Sequence, residues 1–139
     1  MELRPFAAAA ALAVLSAAPL AAQSPRPIVP ADLLRLRSVG DPRVSPDGEW
    51  VAFTVSRVDS TKDKRDSDIY MVRWDGTRTL RLTSSSESES DPRWSPDGRY
   101  LSFVSSRQGS DASQLWLLER AGGEAQRVTE LDEGVDDYA

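Results

Sequence analysis

Residues 41–57 read DPRVSPDGEWVAFTVSR, and residues 91–107 read DPRWSPDGRYLSFVSSR. Ten of the 17 aligned positions are identical, at an offset of 50 residues. The likeness continues downstream, where DIYMVRWDGTRTLRLT at 68–83 aligns with QLWLLERAGGEAQRVT at 114–129, at an offset of 46. The first copy therefore carries four additional residues, which are read as a longer loop around Asp59 to Asp66. A unit of about 45 residues is the length of one four-stranded propeller blade.

Each copy parses into four strands. In the second copy a short strand spans 92–95 and is followed by Ser95-Pro96-Asp97-Gly98. Pro presets φ at the second turn position, Asp bonds back to the backbone, and Gly accepts a positive φ. The next strand covers 99–105, with Leu101 and Phe103 on one face and Tyr100, Ser102 and Val104 on the other. Strand 114–119 is apolar on both faces, as in a sheet held between neighbouring sheets. Gly122-Gly123 turns the chain into a last strand at 125–129. The first copy repeats this course at 43–45, 49–55, 68–74 and 79–83, with Asp75-Gly76 as its second turn. Two unrelated hairpins of a β-sandwich would not need matching spacing across four consecutive strands. The fold expected is all-β, a partial β-propeller of two four-stranded blades, at 39–89 and at 90–139 with the start of the next.

Residues 1–22 are an address label rather than part of the fold. Arg4 opens an apolar tract from Phe6 to Leu20, which fits a signal-peptide core and is shorter than the roughly 20 residues a membrane span needs. A buried Ala-rich helix is the competing reading, disfavoured by the abrupt change to Gln23-Ser24-Pro25. The protein is thus expected to be exported, periplasmic or secreted, with no membrane contact after signal removal. The segment 23–38 is expected to hold a short helix at 30–36, started by Pro30 and presenting Leu33, Leu34 and Leu36.

Composition excludes several functions. With 28% charged residues, a net charge of −5 and no clustered basic patch, the chain lacks the surface that nucleic acid requires. Cysteine is absent, so disulfides and thiolate metal sites are excluded. Histidine is absent too, so no Ser-His-Asp triad can be assembled from this chain. No catalytic residue, cofactor site or metal site is assigned.

The pattern Pro-x-(aromatic or Val)-Ser-Pro-Asp-Gly-x-x-(Val/Leu)-x-Phe, seen at 42–53 and 92–103, resembles the blade motif of bacterial periplasmic propellers. Two groups carry it: the prolyl oligopeptidase family of serine peptidases, with its dipeptidyl-peptidase and acylaminoacyl-peptidase branches, and the propeller protein of the Tol–Pal system. The opening, a signal peptide and short helix before Val39-Gly40-Asp41-Pro42, is more similar to the peptidases. That resemblance implies a C-terminal α/β-hydrolase domain with its serine on a Gly-x-Ser-x-Gly elbow, peptide substrates, and a propeller that restricts access to the active site. None of those catalytic residues maps onto this sequence, whose nearest run, Gly109 to Ser113, lacks the spacing. Pro92 stands nine positions after Thr83 and Tyr138 nine after Thr129, so the chain is expected to reach the place of a third turn motif as it ends. Two blades do not close a ring of roughly four to eight. The expected partners are therefore further blades of the same propeller, and the two-blade segment is expected to associate. A non-enzymatic Tol–Pal-type propeller that binds protein partners is the alternative.

Other candidate groups have structural readings. Glu87, Glu89 and Asp91 offer the oxygen ligands that Ca²⁺ takes but are read as a solvated inter-blade loop. Glu130, Asp132, Glu133, Asp136 and Asp137 recur after the next blade and are read the same way. Trp50, Trp74, Trp94 and Trp116 could stack on ligands, but their repeat positions favour blade core or interface. Asp47 and Asp97 are accounted for by their turns, and Ser84 to Ser90 is a linker rather than a nucleophile cluster.

Overall fold

The computed structural model describes residues 26–107 and 112–138. The expected signal segment 1–22 lies outside them. A four-residue helix, α1 (Pro30–Leu33), precedes eight strands: β1 (Arg37–Val44), β2 (Trp50–Asp59), β3 (Lys64–Arg73), β4 (Thr79–Arg81), β5 (Glu89–Trp94), β6 (Tyr100–Ser105), β7 (Gln114–Glu119) and β8 (Gln126–Arg127). They form two antiparallel four-stranded sheets, ordered β1-β2-β3-β4 and β5-β6-β7-β8. The first strand of the second sheet, β5, packs over β1, β2 and β3 of the first. This is the meander-and-stack arrangement of two propeller blades.

The helix is shorter than the expected 30–36. Asp32 accepts the Val29 N–H at 3.0 Å and a two-pronged ion pair from Arg26, which closes a single turn. Leu33, Leu34 and Leu36 are exposed, so no apolar packing extends the helix. Among the described residues, no helix is long and apolar enough to cross a membrane.

The Ser-Pro-Asp-Gly turns form as their chemistry dictates. Gly48 N–H donates to the Ser45 carbonyl at 2.8 Å, and Gly98 N–H donates to that of Ser95 at 2.8 Å. Both glycines are left-handed, with φ of 72° and 67°. Each aspartate closes its own turn, accepting from the serine hydroxyl and from the N–H two residues on.

The stretch 59–66 departs from the expected loop. β2 and β3 continue as one long hairpin, paired in register from Trp50↔Arg73 to Asp59↔Lys64, leaving 60–63 as the turn. Arg57 faces Asp66 across this hairpin at 2.6 Å, and Asp59 accepts the Thr61 N–H at 3.0 Å. The four additional residues therefore lengthen two strands.

Asp-Pro at 41–42 and 91–92 makes a matching β-bulge in each sheet. The register jumps from Gly40↔Thr54 to Arg43↔Ala52, and from Ser90↔Val104 to Arg93↔Ser102, so two residues oppose one. Asp41 and Asp91 sit at φ 49° and 48°, a conformation that aspartate tolerates better than most residues. A bulge is also where a strand admits proline.

The core lies between the sheets. Ala52 and Ile69 of the first meet Leu101, Phe103, Trp116 and Leu118 of the second, all buried. At roughly 1.5–3 kcal/mol for each large apolar side chain, this layer is the main term holding the blades together.

Candidate functional site

The residues that could act on a ligand gather along the seam between the two sheets. On its rim, the Asp47 turn of the first sheet reaches Arg120 of the second. Arg120 Nη1 donates to Asp47 Oδ2 at 2.6 Å, its guanidinium carbon lies 5.8 Å from the Trp50 ring centre and 5.7 Å from that of Trp94, and Glu49 is 3.8 Å away. The Ser45 hydroxyl first, then Arg120, then the Glu49 N–H hold the Asp47 carboxyl well below the usual aspartate range. Such a carboxylate stays charged and is a poor general base at neutral pH.

On the inner strands, Trp94 Nε1 donates to the Arg43 carbonyl at 2.9 Å. Arg43 Nη2 reaches Asp91 Oδ1 at 3.3 Å, and Arg93 Nη2 reaches Asp137 Oδ1 at 3.1 Å. Asp137 stands 46 residues after Asp91, so the same arginine-to-aspartate step occurs twice along the chain. The Tyr138 hydroxyl donates to the Asp91 carbonyl at 2.7 Å and lies 3.0 Å from the Ser102 hydroxyl. Burial raises the pKa of Tyr138 above the ordinary phenol value. A groove of about 730 Å³ runs beside these groups, lined by Arg43, Trp94, Leu115, Leu117 and Tyr138 among others.

Glu89 corrects the reading of 87–91 as a solvated loop. It is fully buried. Thr83 Oγ1 donates to it at 2.8 Å, Arg107 Nη2 at 2.6 Å, and the Ser85 hydroxyl donates as well. Thr83 Oγ1 in turn accepts the Ile69 N–H at 2.8 Å, which ties the node to β3. A carboxylate can be buried when a cation and hydroxyls replace its water, and that is what happens here. Glu87 remains on the surface with Lys64 at 3.1 Å, and Asp91 is divided between Arg43 and Arg93. Each acid thus has its own cation, and no group of three or more His, Cys, Asp or Glu able to hold a metal occurs among the described residues. In the later acidic group, Glu130 pairs with Arg127 at 3.0 Å, while Asp132, Glu133 and Asp136 are exposed.

Trp50 and Trp116 lie in the core and Trp94 packs against it. Trp74 does not: it is 72% exposed, because β3 ends at Arg73 and leaves it in the following turn. Of the Ser84 to Ser90 linker, Ser85 serves Glu89 and the Ser88 hydroxyl donates to the Arg65 carbonyl at 3.3 Å. The arginine ladder and the Glu89 node were not singled out in the sequence. The signal available for the ladder was the Asp-Pro-Arg triplet common to both copies.

The profile of the TolB beta propeller domain family, PD40, matches residues 36–136. The chain belongs to the TolB β-propeller domain family. The β-propeller domain of the Trilobed protease from Pyrococcus furiosus shares the fold with a TM-score of 0.52 at 21% identity, over 69% of this chain and 29% of that one. The uncharacterised peptidase YuxL of Bacillus subtilis strain 168 is 39% identical over 104 residues, which is 75% of this chain and 16% of that protein. A protein assigned as TolB from Agrobacterium tumefaciens superposes with a TM-score of 0.51 at 33% identity, over 65% of this chain and 30% of that one. The acylaminoacyl peptidase of Pyrococcus horikoshii shares the fold with a TM-score of 0.57 at 20% identity, over 70% of this chain and 14% of its own. The TolB-type chain thus spans a small part of each protein it resembles.

Proposed function

We propose that this TolB-type chain is the opening pair of blades of a gating propeller in an exported serine peptidase. The observation that carries the reading is the 39% identity to the peptidase YuxL over 104 residues. The reactive serine, aspartate and histidine belong to an α/β-hydrolase domain beyond these blades, since this sequence has no histidine. The blades' contribution is steric and electrostatic: they narrow the approach to the active site and favour short peptides. The alternative, a non-enzymatic propeller that binds protein partners, draws support from the 33% identity to the Agrobacterium protein.

The test is to read the frame past Ala139 and assay both products. Several hundred further residues with a Gly-x-Ser-x-Gly elbow, hydrolysis of peptide p-nitroanilides by that longer polypeptide, and no turnover by the 139-residue chain are the expected results. A frame that closes after the ring overturns the peptidase reading, and turnover by the 139-residue chain overturns the division of labour.

A further inference from the structure

The seam between the two sheets is closed differently at its two ends. At the linker end the Glu89 node fills it with a carboxylate, two hydroxyls and a guanidinium. At the end formed by the tight turns a hollow of about 530 Å³ remains. Its bottom is apolar and comes from the first sheet: Trp50 and Met71 are buried, and Leu80 is half-buried. Its other wall is made by the two turns of the second sheet, at Gly98 and at Ala121. Small-molecule sites have this character, a largely apolar concavity of about 300–1,000 Å³ with a few polar groups at its edge.

The edge carries three arginines, Arg78, Arg99 and Arg120, and two acids, Asp97 and Glu119. Arg120 is spent on Asp47 at 2.6 Å and Glu49 at 3.8 Å. Asp97 is spent on its own turn, where it accepts the Ser95 hydroxyl and the Arg99 N–H. Arg78 and Arg99 make no ion pair among the described residues, and they stand on opposite sheets. Both are carried on pinned backbone: the Arg78 carbonyl accepts the Arg73 N–H at 2.9 Å, and the Arg99 carbonyl accepts the Arg120 N–H at 2.8 Å. Of the charges not already spent, two are positive and one, Glu119, is negative. Below them the guanidinium carbons of Arg73 and Arg120 lie 5.9 and 5.8 Å from the Trp50 ring centre, which adds positive potential at the bottom.

We propose that this hollow binds a small organic anion, a flat aromatic body with a single carboxylate, which lies against Trp50, Met71 and Leu80 and presents its charge to Arg78 and Arg99. Guanidinium groups suit a carboxylate because their N–H donors match its two oxygens. A bare phosphate meets the arginines and leaves the apolar bottom wet. A neutral arene covers the bottom and leaves the arginines unpaired. The ligand touches both sheets and binds only when they are together, so it stabilises the pair. The site is built entirely from these two sheets, and the inference does not rest on the peptidase reading.

Amide NMR spectra of the full chain, titrated separately with naphthaleneacetate, its neutral isostere naphthaleneacetamide and inorganic phosphate, test this. Naphthaleneacetate is expected to give saturable shifts at Gly98, Arg99 and Ala121, with a Kd of about 0.1–1 mM, and to raise the urea midpoint. The amide should bind about tenfold more weakly, and phosphate should leave those three signals in place. Arg78→Glu and Arg99→Glu should each weaken naphthaleneacetate about fivefold. Ala121→Trp, an exposed position whose new ring fills the hollow, should abolish binding while circular dichroism shows the strands intact. Absence of saturable shifts at these signals overturns the proposal. So does equal binding of the acid and the amide, equal binding of phosphate, or an affinity indifferent to the three substitutions.

Discussion

Asp47 and Asp97 occupy the same place in two turns but meet different neighbours. Both accept a serine hydroxyl and a backbone N–H, and both titrate below the ordinary aspartate range for that reason. Asp47 alone adds Arg120, 73 residues away in sequence. A carboxyl whose pKa is depressed by folding contributes stability above its unfolded value of about 3.9, and loses that contribution as pH falls through the folded value. Asp47→Asn is therefore expected to lower the urea midpoint at pH 7 more than Asp97→Asn does. The deficit should shrink as pH is taken below about 4, where the carboxyl of the unfolded chain takes up a proton while that of the folded parent is still charged. Urea titrations from neutral to strongly acidic pH check this, and a deficit for Asp47→Asn that is the same at every pH counts against the account.

At the scale of elements, what the sequence revealed depended on how local the cause was. The turn at 95–98 was legible because Ser, Pro, Asp and Gly each do one short-range job there. Gly98 has φ 67°, and an added Cβ would meet Pro46 and Arg120 only at ordinary contact distances of 3.5 and 3.7 Å. The cost of replacing it is thus conformational, about 1–2 kcal/mol for an alanine held left-handed. Gly98→Ala is expected to show that loss in urea unfolding, and Gly98→Asn a smaller one, because Asn visits this region more readily. Equal losses would mean that contact with the first sheet, and not φ, dominates. The hairpin at 59–66 was not legible, because Arg57 and Asp66 are neighbours only once the strands have paired. The bulges were half-legible: Asp-Pro repeats visibly, but the left-handed aspartate that explains the repetition exists only in three dimensions.

At the scale of the whole molecule, the two sheets act as one body through a layer of apolar side chains and the buried polar node at Glu89. The exposed ladder pairs, Arg43–Asp91 and Arg93–Asp137, are worth about 0–1 kcal/mol each, so they guide alignment more than they supply stability. Glu89 differs in kind. It joins the linker from the first sheet, through Thr83 and Ser85, to Arg107 at the end of β6, whose guanidinium also covers Phe103 and Trp116. An acid in a serine-rich run reads as solvated, and its cation lies 18 residues on, so only the substitution between copies, Val39 for Glu89, marked the position as special. Where the first copy has Val39, its equivalent arginine, Arg57, turns instead to Asp66 and Asp68. Removing the Glu89 charge leaves Arg107, whose side chain is only 15% exposed, without a counter-ion, a change that costs up to about 3–5 kcal/mol. Against a total of about 5–15 kcal/mol for a domain, Glu89→Gln should bring the chain close to unfolding at 25 °C. Glu89→Gln with Arg107→Met, which removes both charges, should recover most of the loss. Urea unfolding followed by tryptophan fluorescence measures both, and a Glu89→Gln midpoint indistinguishable from the parent would mean that the apolar layer alone couples the blades.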